Sequence, residues 1–231
     1  MEFDEISNDS IITNLSDDKD ESNFLLNSEE FIYIPKVEEL ELKIINVVSS
    51  INLGCNLNIK NLVLKFKNAE YNSNKSSIIS LKSKNSKISA TIFSGGKMIC
   101  TGAKSEKEAK SECIKFSKIV KKTGYNVELR DFKIQNIIAS YDVNFKISLY
   151  TLYNKICNLI NKSKNFGNNN NFCKYNKEIF PGLIFHEDQS NIICNIYESG
   201  KVILSGAKER KNIEDIFRNI YPLLIESKVT K

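Results

Sequence analysis

The chain has 231 residues, enough for one large domain or two small ones, and its 41% hydrophobic and 26% charged residues are ordinary for a globular protein. Apolar runs such as Tyr221–Ile225 are too short to cross a bilayer, and the acidic amino terminus lacks the basic-then-apolar layout of a secretory signal, so an intracellular protein with no membrane partner is expected. The net charge of +5 conceals a division: residues 1–36 carry ten acidic residues against two basic (net −8), leaving 31 basic against 18 acidic (+13) on the rest.

Residues 1–38 read as a disordered acidic tail. The basic remainder has the electrostatic footprint of a chain that meets a polyanion, or of a lysine-rich solvated surface. A first strand follows, with Ile44, Asn46, Val48 and Ser50 on one face and Ile45, Val47 and Ile51 on the other. Next come a short helix over Leu57–Phe66 and strands near 77–83, 88–94 and 97–102, joined by turns at Asn85 and Gly95-Gly96. A helix then opens on Ser105 and Glu108, a capping-box pair. It carries an apolar stripe of Ala109, Cys113, Phe116 and Val120, with lysines mostly elsewhere, and Gly124 is placed to end it.

The order then repeats. Lys43–Ser50 matches Lys133–Ser140, and Gly96–Lys104 matches Gly200–Lys208. The offset grows between the two matches, and the low-complexity run Asn165–Asn171 can absorb the difference as a surface loop. Two repeats, 39–127 and 128–231, are expected. The second closes on a helix with Ile213, Ile216, Phe217, Ile220, Tyr221 and Leu224 at helical spacing, which Pro222 should kink or end. The six cysteines are scattered with no Cys-x-x-Cys pair, which predicts free thiols. One histidine, no phosphate-binding glycine loop and no Ser/His/Asp set argue against an enzyme, and no metal or cofactor is expected.

On the strand after Gly96, Lys97, Ile99 and Thr101 share a face, as do Lys201, Ile203 and Ser205 in the copy. A surface of small, branched and amide side chains rimmed by lysines either packs on another layer or takes a partner. The runs Val47–Cys55 (VVSSINLGC), Asn68–Asn72 (NAEYN), Ser94–Glu106 (SGGKMICTGAKSE), Asp131–Asn136 (DFKIQN) and Phe180–Ile184 (FPGLI) resemble those of TATA-box-binding proteins, over roughly residues 41–226.

That resemblance implies an α+β saddle: two repeats, each a curved five-stranded antiparallel sheet with two helices, joined into one concave ten-stranded sheet. It implies a general transcription initiation factor of the nucleus that binds and bends A·T-rich double-stranded DNA through the minor groove. Asn46 and Asn136 match paired groove donors, and Thr101 and Ser205 match paired hydroxyls. Val48, Ile138, Ile99 and Ile203 match apolar contacts to base edges, and Lys82, Lys97 and Lys201 match phosphate contacts. Phe93, Phe180 and Tyr197 match the rings that open base steps, while Ser76 stands where a fourth ring is usual. Thr91 and Asn195 replace leucines, and His186-Glu187-Asp188 replaces a basic stretch. Ser76 predicts a weaker grip and smaller kink at the repeat 1 end, with Ser76→Phe tightening binding. Glu178 and Ile179 match contacts to transcription factor IIB, and the helix bearing Lys118, Lys121 and Lys122 resembles the surface for transcription factor IIA. TBP-associated factors and the RNA polymerase machinery complete the implied partners. The alternatives are a related factor with weak or relaxed TATA binding, acting mainly as a scaffold, or a protein-interaction scaffold that does not touch DNA.

Overall fold

The computed structural model describes residues 35–66, 69–71, 77–83, 86–164, 172–187 and 189–229. The tail up to residue 34, Ser76 and the Asn165–Asn171 insertion lie outside the described residues. A single 3-10 turn (Val37–Glu39) leads into β1 (Lys43–Asn52), α1 (Ile59–Val63), β2 (Ala69–Tyr71), β3 (Ile78–Lys82), β4 (Ser89–Phe93), β5 (Lys97–Ala103) and α2 (Glu106–Lys121). The same order recurs as β6 (Arg130–Asp142), α3 (Leu149–Lys164), β7 (Phe172–Tyr175), β8 (Gly182–Glu187), β9 (Ile192–Tyr197), β10 (Lys201–Ala207) and α4 (Arg210–Ile225).

All ten strands form one sheet in the order β2-β3-β4-β5-β1-β6-β10-β9-β8-β7, as expected of the fold class. Every pairing is antiparallel, and the two halves meet along β1 and β6. Alternate strand residues point to one side, where the helices cover them. Val47, Ile79, Ile92 and Met98 are buried with Phe116 and Val120 of α2 in one core cluster. Ile137, Leu183, Val202 and Leu204 are buried with Leu152 of α3 and Phe217 of α4 in a second. Removing one such side chain from water stabilises the fold by about 1.5–3 kcal/mol, so these clusters anchor the sheet by its covered side. The other side carries no helix among the described residues and is called the open face below.

Local chemistry explains the ends of several elements. Asn58 accepts from the Asn61 amide at 3.1 Å and starts α1 there; the helix ends after Val63, shorter than the Leu57–Phe66 expected from apolar spacing. Ser105 accepts from the Glu108 amide at 3.1 Å, but the Glu108 carboxylate takes the Lys104 amide at 2.7 Å rather than that of Ser105, a capping box displaced by one residue. Gly124, at φ +98°, follows the end of α2, where its amide donates to Lys121 at 3.1 Å. Helix α4 continues three residues past Pro222, and the Glu226 amide donates back to the Pro222 carbonyl at 3.0 Å, so the proline does not end it.

The expected alternation of β1 needs one correction. The register against β6 shifts between Ile44 and Asn46, a bulge at Ile45. Ile44 therefore pairs with buried Ala139 and packs against both core clusters, away from Asn46 and Val48, while Ile45 is 41% exposed.

Candidate nucleic-acid interface

The centre of the open face is built from β1 and β6, where the antiparallel register sets Asn46 opposite Ile138 and Val48 opposite Asn136. Two amides and two branched side chains thus form a quartet around the join of the repeats. Each asparagine is oriented by a glycine amide: Gly102 N–H donates to Asn46 Oδ1 at 2.8 Å, and Gly206 N–H to Asn136 Oδ1 at 2.8 Å. A backbone amide only donates, so the side-chain oxygen must face it and the NH₂ must point elsewhere. The glycines reach this position at φ +108° and +107°, and a Cβ would meet the Lys87 carbonyl oxygen at 2.7 Å or that of Asn191 at 2.3 Å. Asn46 Nδ2 also donates to Thr101 Oγ1 at 3.3 Å, which links the amide to the hydroxyl on β5.

Flanking strands extend this surface. On β5 the residues Lys97, Ile99 and Thr101 alternate with buried Met98 and Cys100; on β10 Lys201, Ile203 and Ser205 alternate with buried Val202 and Leu204. Ser50 lies opposite Ile99, and Asn195 opposite Ile203. Lys97 and Lys201 are exposed and have no ion pair among the described residues. Lys82 differs, because its Nζ lies 2.5 Å from Glu70 Oε1 on the neighbouring edge strand, an exposed pair that an incoming phosphate would have to displace. At the corresponding edge of repeat 2, His186 pairs with Phe172, and their rings stack at 4.8 Å with Lys174 Nζ 5.0 Å from the Phe172 centroid.

Rings mark the ends of the face. Phe180 and Tyr197 lie 5.9 Å apart at an interplanar angle of 57°, over a strand whose first residue is Gly182. Phe93 occupies the end of β4, opposite Ile78. Position 76, expected to lack a ring, lies outside the described residues. Several open-face residues were not singled out as site residues from the sequence: Ser80 and Ile184, which alternate with buried core residues on β3 and β8, and Gln135, whose Nε2 donates to Ser50 Oγ at 2.6 Å. The usable signal for Ser80 and Ile184 was strand alternation; Gln135 lies beside Asn136 in DFKIQN, but alternation alone puts its repeat counterpart Ile45 on the other face.

On the helix side, Lys118, Lys121 and Lys122 are exposed around the carboxyl end of α2, where two of them also complement the helix dipole. The turn before Phe180 is organised by Asn176. Its side chain accepts from the Glu178 amide at 3.0 Å and its carbonyl from the amides of Ile179 and Phe180, leaving Ile179 82% exposed beside exposed Glu178. All six cysteines are free. Burial pushes the Cys173 and Cys194 thiols up to about 12, which favours their protonated form. Among the described residues, no cluster of three or more His, Cys, Asp or Glu side chains is set to hold a metal ion, and no helix is long and apolar enough to cross a membrane.

Known proteins share this architecture. A family model described as Transcription factor TFIID (or TATA-binding protein, TBP) matches residues 41–123 and 131–227. The TATA-box-binding protein of Acanthamoeba castellanii is 43% identical over 185 residues, a match covering 80% of this chain and 67% of that one. The TATA-box-binding protein of Tetrahymena thermophila is 37% identical over 212 residues, covering 92% and 81%. Among solved structures, the Methanococcus jannaschii TBP matches with a TM-score of 0.64 at 28% identity, over 80% of this chain and 99% of that chain.

Proposed function

Because the chain belongs to the family of transcription factor TFIID (or TATA-binding protein, TBP) and is a general transcription initiation factor, we propose that it reads A·T-rich DNA through the minor groove with the open face of its sheet. The central quartet carries this reading. The minor-groove edge of an A·T pair offers only acceptors, and a G·C pair adds an amine donor. Amides whose oxygens are already occupied by Gly102 and Gly206 present donors to those acceptors, while Val48 and Ile138 offer a guanine amine nothing to bond. Burying that amine unpaired costs about 1–3 kcal/mol, which is the discrimination the centre supplies.

Ile99, Ile203, Thr101 and Ser205 continue the contact outward, and Lys97, Lys201 and Lys82 bind phosphates, adding affinity without sequence information. Phe93, Phe180 and Tyr197 press apolar surface between base steps and bend the duplex, a mode of binding for which this family is itself the type example. The bent complex then nucleates the transcription machinery in the nucleus. Transcription factor IIB docks at Glu178 and Ile179, transcription factor IIA at Lys118, Lys121 and Lys122, and TBP-associated factors and polymerase assemble around them. The role is one of binding and positioning, with no reaction catalysed. A weak-binding related factor is not favoured, since relatives at 37–43% identity carry the name TATA-box-binding protein.

The test is a titration at fixed salt of a TATA duplex, a shuffled A·T-rich duplex and one with G·C pairs at the centre. The expected result is tightest binding to TATA and a loss on G·C substitution of about 1–3 kcal/mol per pair. Equal affinity for all three would leave only the nonspecific polyanion term and overturn the reading.

A further inference from the structure

The two ends of the open face differ at one register position. In repeat 2, Gly182 lies opposite Tyr197; in repeat 1, Ile78 lies opposite Phe93. These positions correspond, since β8 is third from the centre on its side as β3 is on the other, and each pair begins its strand ladder. A Cβ at Gly182 would meet Phe180 Cε1 at 2.9 Å, the Ile196 carbonyl oxygen at 3.0 Å and Tyr197 Cε1 at 3.2 Å. The two rings of repeat 2 therefore close over bare backbone. In repeat 1 that space is already filled: Ile79 and Leu81 are buried on the core side, which directs half-buried Ile78 to the open face beside Phe93.

We infer that Ile78 is the second hydrophobic element of the repeat 1 end and determines how that end engages DNA; this rests on the minor-groove reading above. A branched aliphatic side chain has no π-face to stack on a base, so it contributes by dispersion and by excluding water, and Phe93 alone stacks. Gly182 plays the complementary part, because only an absent side chain lets Phe180 and Tyr197 act as a pair. The asymmetry of grip thus comes from the residue beneath the ring as well as from the ring itself.

A double-mutant cycle on the full chain, read as dissociation constants for a TATA duplex at fixed salt, tests this without needing to know the orientation of the protein on DNA. Ile78→Ala is expected to weaken binding about 3–10-fold, non-additively with Phe93→Ala and additively with Phe180→Ala, as neighbouring and distant sites should behave. Gly182→Ile is expected to weaken binding at least as much as Phe180→Ala and to make that second substitution silent. Thermal melts of each free variant establish folding. If Ile78→Ala does not fold, Ile78→Thr, which keeps the branch and adds a hydroxyl, takes its place with the same expected pattern. Wild-type affinity for TATA with no effect of either Ile78 variant, or full additivity with Phe93→Ala, overturns the inference alone. Failure of the wild type to prefer TATA over its G·C-substituted form instead overturns the reading on which it rests.

Discussion

Asn136 is held by one bond that a carboxylate would keep and presents one group that a carboxylate would lose. Asn136→Asp preserves an oxygen for the Gly206 amide, so the fold should survive, but it replaces a donor with an anion facing groove acceptors. The expected outcome is an unchanged melting temperature with TATA affinity lowered by about 1–3 kcal/mol or more, the cost of an unpaired buried partner. Binding isotherms and a melt on the same sample check both halves. Position 76 illustrates the opposite dependence, on a neighbour rather than a partner. By the repeat correspondence, Ser76→Phe is expected to tighten binding, and to tighten it more when Ile78→Gly clears the facing position; an equal gain with and without Ile78→Gly would contradict the steric argument. That Asn46 and Asn136, and Thr101 and Ser205, occupy equivalent places was readable because each pair repeats inside a duplicated motif, while the groove contacts proposed for them were implied by the family resemblance. Ile78 was not, since its meaning lies in what stands across a strand pair, and register is invisible until strands are paired.

Strands β5 and β10 each deliver a lysine, an isoleucine and a hydroxyl residue to the open face, so their lysines should behave as a matched pair. Lys97→Ala and Lys201→Ala are each expected to reduce the slope of log affinity against log salt by about one while leaving the preference for A·T pairs intact. Lys82→Ala is expected to change it less, because the Glu70 carboxylate already neutralises that ammonium. Affinities at four or more salt concentrations distinguish the cases. The elements themselves were largely legible: α2 followed from its cap and apolar stripe, and β5 from alternation after a Gly-Gly turn. Element ends and one strand face were less so. Helix α1 starts two residues later than expected because Asn58 caps it, and the bulge at Ile45 reverses Ile44 for reasons set by pairing with β6.

Beneath the single sheet lie two separate hydrophobic clusters, and Ile44 and Ile134 pack against both. The second cluster holds 25 described residues and the first 19, with α3 supplying two more than α1 and α4 two more than α2. Repeat 1 is therefore expected to open first. In hydrogen exchange, the amides of β3 and β4 should exchange faster than those of β8 and β9, and the reverse order would argue against unequal cores. The duplication led to an expectation of two repeats, but composition could not say which half is better packed. The same unequal halves bear on direction. A reader with identical ends would settle on a near-palindromic element in either sense with equal ease, and whatever assembled upon it would face upstream as often as downstream. On the proposed minor-groove reading, glycine opposite Tyr197 and isoleucine opposite Phe93 would make the two landings energetically distinct, and the heading of the assembled machinery would then follow from the side chains at positions 78 and 182.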